Sequence, residues 1–322
     1  MELVAKARTH GNKFSMKCIA CNNGVRCNGN PINSHNIQNA RILKKLSVDN
    51  HVYMVSAQPT DEEFLIDLQR VGTNKVTIFR CLCGYHDKTI FSPIEDELYN
   101  GSVKQNMLFA LKSLMYEYWK VEENYNFFKN TFPGAKRAQQ KFLNDCQYCY
   151  NDIKIFNNML ENDTYNLMDS FSVTLNYEIL FAASNSLCIY TDFAGKRLSV
   201  GSNNYPYIHL TIFPENGKTN IIFSWLKKDN EYYQNFINQI SSLDIQVLVD
   251  KLNLFLAMNI ENIIISPNLV NTWNERQKKE FTYIQQINVR PDLTTFTFCV
   301  DNWLGQTTFN LFQNFSSLPA TS

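Results

Sequence analysis

The chain has 322 residues, room for one large domain or two ordinary ones at roughly 100–200 residues each. A hydrophobic fraction of 44% with 19% charged side chains is that of a folded chain, so wholesale disorder is excluded. Thirty basic and thirty acidic side chains cancel, which excludes a strongly basic nucleic-acid coat but leaves room for a local basic patch.

In chain order, residues 14–35 read as a knuckle followed by an irregular strand, with Asn28-Gly29-Asn30-Pro31 as a turn. Ile37, Ala40, Ile42, Leu43 and Leu46 predict a short amphipathic helix with lysines on its outer side. His51–Val55 and Lys75–Phe79 predict strands. Two long helices follow, from about Lys104 to Phe128 and from about Ala135 to Leu160, broken by Pro133-Gly134. Beyond Asp169 the period changes to alternation: Phe171–Ile179, Leu187–Thr191 and Tyr207–Phe213 predict strands. Asn216-Gly217 predicts a tight hairpin into Thr219–Trp225. Helices at about 230–241, 243–258 and 270–287, a strand at Ile263–Ser266 and a last strand at Thr294–Val300 complete the chain. The fold class expected is α+β: a small N-terminal zinc module over 1–100, a helical segment over 101–165 and a larger mixed domain over 166–322. No apolar run approaches the roughly 18–20 residues that span a bilayer, and Met1 to His10 lead into no apolar signal core. A cytoplasmic protein with no membrane partner is the expectation.

Five of the nine cysteines and four of the five histidines lie before residue 87. Reducing compartments keep thiols free, so this clustering points to metal more than to disulfides. Cys18-x2-Cys21 and Cys83-x2-His86 are two knuckle-like pairs, each able to supply two corners of a zinc tetrahedron. Cys27 and Cys81 compete for these roles and rank as spares. The same stretch is basic: through residue 60, eight Lys and Arg face only Glu2 and Asp49. A solvated basic face and a phosphate-facing surface both fit that excess. Cys146-x2-Cys149 falls inside a predicted helix with no second pair near it and reads as packing. The aromatic run Tyr116, Tyr118, Trp119, Tyr125, Phe127 and Phe128 likewise reads as core or helix contact before it reads as a base-stacking platform.

Between the two knuckles stands Ser34-His35-Asn36-Ile37-Gln38. A knuckle, a histidine-bearing strand, then a second knuckle leading into a helix is an order that resembles the HNH, or ββα-metal, nuclease module on a treble-clef zinc site. The first hundred residues also look like an uncharacterised group of bacterial proteins with such a module. Its pattern is C-x2-C, S-H-S-I-Q, G-H-V-Y, F-C-x2-H-D and I-F-x-P-I-E. Here it reads Cys18/Cys21, Ser34–Gln38, Asn50-His51-Val52-Tyr53, Cys83/His86/Asp87 and Ile90–Glu95, departing at Asn36, Asn50 and the extra Cys81-Leu82.

The resemblance implies a structural Zn²⁺ on Cys18, Cys21, Cys83 and His86. It also implies a catalytic Mg²⁺ or Mn²⁺ held by Asp87, with His51 beside it. His35 would be the general base and Arg41, Lys44 and Lys45 would face phosphates. The activity expected is metal-dependent endonucleolytic cleavage of nucleic acid, DNA in the first instance. A bacterial defence role would suit it, with a regulatory ligand or protein at residues 166–322 and pairing into a homodimer through the helices of 104–160. The alternative is a non-catalytic zinc scaffold that binds protein or nucleic acid. Each catalytic candidate also has a plain structural role open to it. His35 could be a fifth zinc-type side chain or a helix-start hydrogen bonder, His51 a strand residue with a structural partner, and Asp87 an N-cap or a carboxylate on His86.

Overall fold

A computed structural model describes residues 18–20, 27, 29–59, 64–193, 195–198, 206–289 and 307–313. Its strands are β1 (Ser34–His35), β2 (His51–Pro59), β3 (Phe64–Gly72), β4 (Ile78–Phe79), β5 (Met168–Leu175), β6 (Phe181–Leu187), β7 (Ile208–Glu215), β8 (Lys218–Leu226) and β9 (Ile263–Ile265). Its α-helices are α1 (Lys44–Leu46), α2 (Gly84–Glu95), α3 (Val103–Thr131), α4 (Lys136–Glu161), α5 (Asn230–Ser241), α6 (Ile245–Asn259), α7 (Pro267–Val270) and α8 (Glu275–Val289). The class is mixed α+β, as the alternation of periods predicts.

The chain forms two compact, interleaved units. Unit 1 takes residues 1–36, 57–65 and 77–166, and unit 2 takes 37–56, 66–76 and 167–322. Unit 1 holds the two-stranded ladder of β1 and β4, helix α2 and the long hairpin of α3 and α4. Helix α3 starts where the Ser102 hydroxyl accepts from the Gln105 backbone N–H at 3.4 Å. The Gln105 side chain reaches back to the carbonyls of Pro93 and Leu98 at 2.9 and 3.0 Å, tying the end of α2 to the start of α3.

Unit 2 is built on a seven-stranded sheet in the order β3-β2-β9-β6-β7-β8-β5. The β2–β9, β9–β6, β6–β7, β7–β8 and β8–β5 pairings are antiparallel. The β7–β8 turn is Asn216-Gly217 with φ of 54° and 76°, the left-handed pair that matches strand twist and that Asn-Gly predicts. One face of the sheet carries Phe181, Ala183, Ile208, Leu210, Ile212, Ile221, Phe223 and Trp225. These join Tyr233, Phe236 and Ile240 of α5, Leu252 and Phe255 of α6, and Phe281 of α8 in one apolar core. The alternate positions are buried too and mostly polar: Ser184, Ser186, His209, Thr211, Asn220 and Ser224 lie there beside Ala182, Phe213 and Ile222.

Several expected boundaries move. The strand expected at Leu187–Thr191 ends at Leu187 and starts at Phe181, because Phe181–Ala183 pair with β9 and Ala183–Leu187 with β7, without any apolar alternation to announce them. Of Lys75–Phe79 only Ile78–Phe79 is strand; Thr73–Lys75 is a single 3-10 turn. Strand β3, Phe64–Gly72, falls where no element is expected from the sequence. The helix expected at 270–287 is two, α7 and α8, the first capped by the Ser266 hydroxyl accepting from the Asn268 N–H at 3.3 Å. The strand expected at Thr294–Val300 lies outside the described residues.

Candidate metal centre

In unit 1 the backbone sets the site before any side chain does. Ile19 and Ile32 N–H groups donate to the carbonyls of Cys81 and Leu82, both at 2.8 Å, which pins two early segments beside residues 81–82. The β1–β4 register pairs Ser34 with Phe79 and His35 with Ile78, and Asn36 N–H continues it to the Thr77 carbonyl at 2.8 Å. Cys83 then caps α2, so His86 falls one turn further on the same helix face, since i and i+3 are neighbours on a helix.

Four donor atoms converge there: the sulfurs of Cys18, Cys27 and Cys83 and a ring nitrogen of His86, all within 4.8 Å of one another. His86 Nδ1 is 3.3 Å from Cys18 Sγ and 3.3 Å from Cys83 Sγ, and Cys27 Sγ is 3.7 Å from Cys83 Sγ. A tetrahedron with Zn–S about 2.3 Å and Zn–N about 2.0–2.1 Å has edges of about 3.8 Å between sulfurs and about 3.5 Å between sulfur and nitrogen. These three separations are those edges to within a few tenths of an ångström, and the remaining ones stay within 4.8 Å. The Cys83 N–H donates to Cys18 Sγ at 3.3 Å, a contact that favours the thiolate form. Burial acts the other way and raises the Cys18 thiol above its ordinary range, so a bound cation would displace a proton that the site otherwise keeps.

Cys18, Cys83 and His86 are buried and Cys27 is exposed. Cys27 forms a disulfide in the structure, whereas the six other described cysteines are free. A sulfur in a disulfide has no thiolate to give a metal, so the four-donor set belongs to the reduced chain. Three of the expected zinc ligands, Cys18, Cys83 and His86, are thus brought together, and Cys27, ranked as a spare, completes the group. The fourth expected ligand, Cys21, lies outside the described residues. Cys81 turns away: its thiol, buried and raised well above the usual range, donates to the Met115 carbonyl of α3 at 3.3 Å. Cys149 is buried in α4 and Cys146 half-buried, its thiol pushed up to about 12 by burial, both in keeping with packing.

The other candidates divide between the units. His35 is half-buried on β1 in unit 1. Asp87 follows His86 in the first turn of α2, its N–H donating to the Cys83 carbonyl at 2.9 Å. One oxygen of its carboxylate, Oδ1, is buried with no hydrogen-bond partner, as is the Ser34 hydroxyl next to His35. His51, at the start of β2, belongs to unit 2, and its Nδ1 lies 2.7 Å from the Asp49 carbonyl. Arg41 and Lys45 are also in unit 2, where they form ion pairs with Glu215 and Glu178. Lys44 is exposed and enters no ion pair among the described residues.

No helix among the described residues is long and apolar enough to cross a membrane. Comparison with protein-family models, with curated proteins and with solved structures finds no match to this chain.

Proposed function

We propose that the protein is a metal-dependent phosphodiester hydrolase of the HNH type acting on nucleic acid, with a structural zinc on Cys18, Cys27, Cys83 and His86. The observation that carries the reading is the Asp87 carboxylate. Its Oδ1 is buried without a hydrogen-bond partner, one residue after a zinc corner and in the same unit as His35. An unpartnered buried carboxylate oxygen costs on the order of 1–3 kcal/mol, which a hard divalent cation such as Mg²⁺ or Mn²⁺ would recover.

In this reading Asp87 would hold the cation, which would supply positive charge against that building on the scissile phosphate. His35 takes the proton of the attacking water, and the zinc group keeps β1 and the first turn of α2 in fixed register. The proposal uses unit 1 alone and asks nothing of His51, Arg41 or Lys45. Its test is cleavage of plasmid and of single-stranded oligonucleotide with Mg²⁺ or Mn²⁺, by wild type, His35→Ala and Asp87→Ala, with zinc content measured for each. Cation-dependent cutting by the wild type, lost at least about a hundredfold in both variants with zinc retained, is expected. Cutting that survives in both variants removes the proposal.

A second reading, a zinc scaffold without catalysis, draws on the ion pairs of Arg41 and Lys45. Two of the three cations assigned to phosphate already have carboxylate partners. It predicts bound zinc and no cleavage of any nucleic acid.

A further inference from the structure

The helical hairpin of unit 1 has two unlike halves. Toward its base, residues such as Met107, Leu111, Leu114, Ile153 and Phe156 are fully buried. Toward its tip, no residue between Val121 and Cys149 is buried, although Tyr125, Phe127, Phe128, Phe132 and Phe142 all lie there. Phe128 touches Phe127, Phe132 and Phe142 at ring-centroid distances of 5.7, 5.7 and 5.3 Å, so the rings form one cluster across the turn. The turn is held to the second helix by the Gln139 amide, which donates to the carbonyls of Phe132 and Pro133 at 2.9 and 3.3 Å. The tip therefore presents fixed, half-exposed aromatic faces.

Between Glu122-Glu123 and Asp145 its charge has one sign. From Asn124 to Asn144 there are four cations, Lys129, Lys136, Arg137 and Lys141, and no carboxylate. Lys141 pairs with Asp145 just beyond, and Lys129 stands 5.6 Å over the Tyr125 ring. Lys136 and Arg137 are exposed and enter no ion pair among the described residues.

We propose that the tip of the α3–α4 hairpin is a binding surface for single-stranded nucleic acid. Lys136 and Arg137 meet phosphates, and bases stack on the Phe128–Phe132–Phe142 cluster. Single strands are taken without strong sequence preference by this pairing of cations along the backbone with aromatic rings under the bases. A duplex offers phosphates but hides its base faces, and so would use only half of the surface. The surface is independent of the His35–Asp87 reading, because binding requires no cutting.

The test is fluorescence anisotropy of a labelled oligo-dT and of a duplex of equal length on the full chain, zinc-loaded and with no Mg²⁺ or Mn²⁺ added. It compares wild type, Lys136→Gln/Arg137→Gln and Phe132→Ala, with circular dichroism to confirm folding. Single-strand binding by the wild type should exceed duplex binding. The double variant should weaken it about tenfold or more and flatten its salt dependence, since about 0.7 of a log unit of slope goes with each phosphate contact on a single strand. Phe132→Ala should weaken it with the salt slope unchanged, which separates stacking from charge. No binding to oligo-dT, binding indifferent to the hairpin variants, or a preference for vesicles containing phosphatidylserine over oligo-dT would overturn the proposal.

Discussion

His209 stands on β7 with 2% of its surface exposed, its Nδ1 2.7 Å from the Ser186 hydroxyl on the neighbouring strand. Burial, and then the Lys228 ammonium, push its pKa down to about 3. The folded protein thus keeps the ring neutral, while the unfolded chain protonates it near the ordinary value of about 6.5. For a base with a depressed folded pKa the stabilisation is complete above about pH 6.5 and is lost as pH falls from there toward 3, by up to about 1.4 kcal/mol per pH unit. Urea denaturation of wild type and His209→Gln from pH 7 to pH 4 should show the wild type's advantage shrinking by a few kcal/mol. A difference that stays flat across that range would mean the ring is already charged or reaches water. Nothing in the sequence around His209 announces this role, because its neighbours in space, Ser186 and Lys228, are far along the chain. The metal donors show the opposite: Cys83-x2-His86 is legible because helical spacing alone brings the two donors to one face. Cys27 is less so, since it sits outside any helix or strand and spacing gives it no direction. Cys81 could be separated from Cys83 only once the Met115 carbonyl was in view.

Among the elements, α2 carries the second knuckle at its start and an ion pair at its end. Glu95 pairs with Lys112 of α3, whose side chain is 2% exposed and whose ammonium lies 4.8 Å from the centre of the Phe91 ring. The two partners are unequal, for Glu95 keeps about a quarter of its side chain in water, 26%, and Lys112 almost none. Removing the carboxylate strands a buried ammonium. Removing the ammonium leaves a carboxylate that solvent can still reach. Glu95→Gln should therefore destabilise by about 2–3 kcal/mol, while Lys112→Met, which keeps the stem packed on Phe91, should stay within about 1 kcal/mol of wild type. Denaturant midpoints of the two variants check this, and an equal or reversed order would show that the ring and not the charge holds Lys112. The long helices and the Asn216-Gly217 hairpin were legible because period and turn chemistry agree over many residues. Strand β6 was not, since Ala182-Ala183-Ser184-Asn185-Ser186 has neither β-branched residues nor alternation and becomes strand only through its partners on both sides.

At the scale of the whole chain, the two units exchange segments rather than following one another. The backbone enters unit 2 at Ile37, returns at Ala57, leaves again at Ile66, comes back at Thr77 and finally departs at Leu167. Reading along the sequence finds such segments but not their destinations. Tyr53 pairs with Ile265 across more than two hundred residues, and no local period encodes that neighbour. The metal group, by contrast, lies wholly within unit 1, and its removal should be felt there first. A structural zinc site can contribute on the order of 10 kcal/mol of binding free energy to the fold it closes. Hydrogen exchange on reduced, zinc-loaded protein before and after a strong chelator reads this directly. The backbone N–H groups of Ile19, Ile32, Asn36 and Asp87, all bonded around the metal group, should lose protection on chelation. The paired amides of β7 and β8 in the sheet of unit 2 should keep theirs. Protection unchanged everywhere would deny the four donors a structural metal. Loss in β7 and β8 together with the metal group would mean that the segments passed between the units make them unfold as one cooperative body, and that the zinc, if bound, supports both.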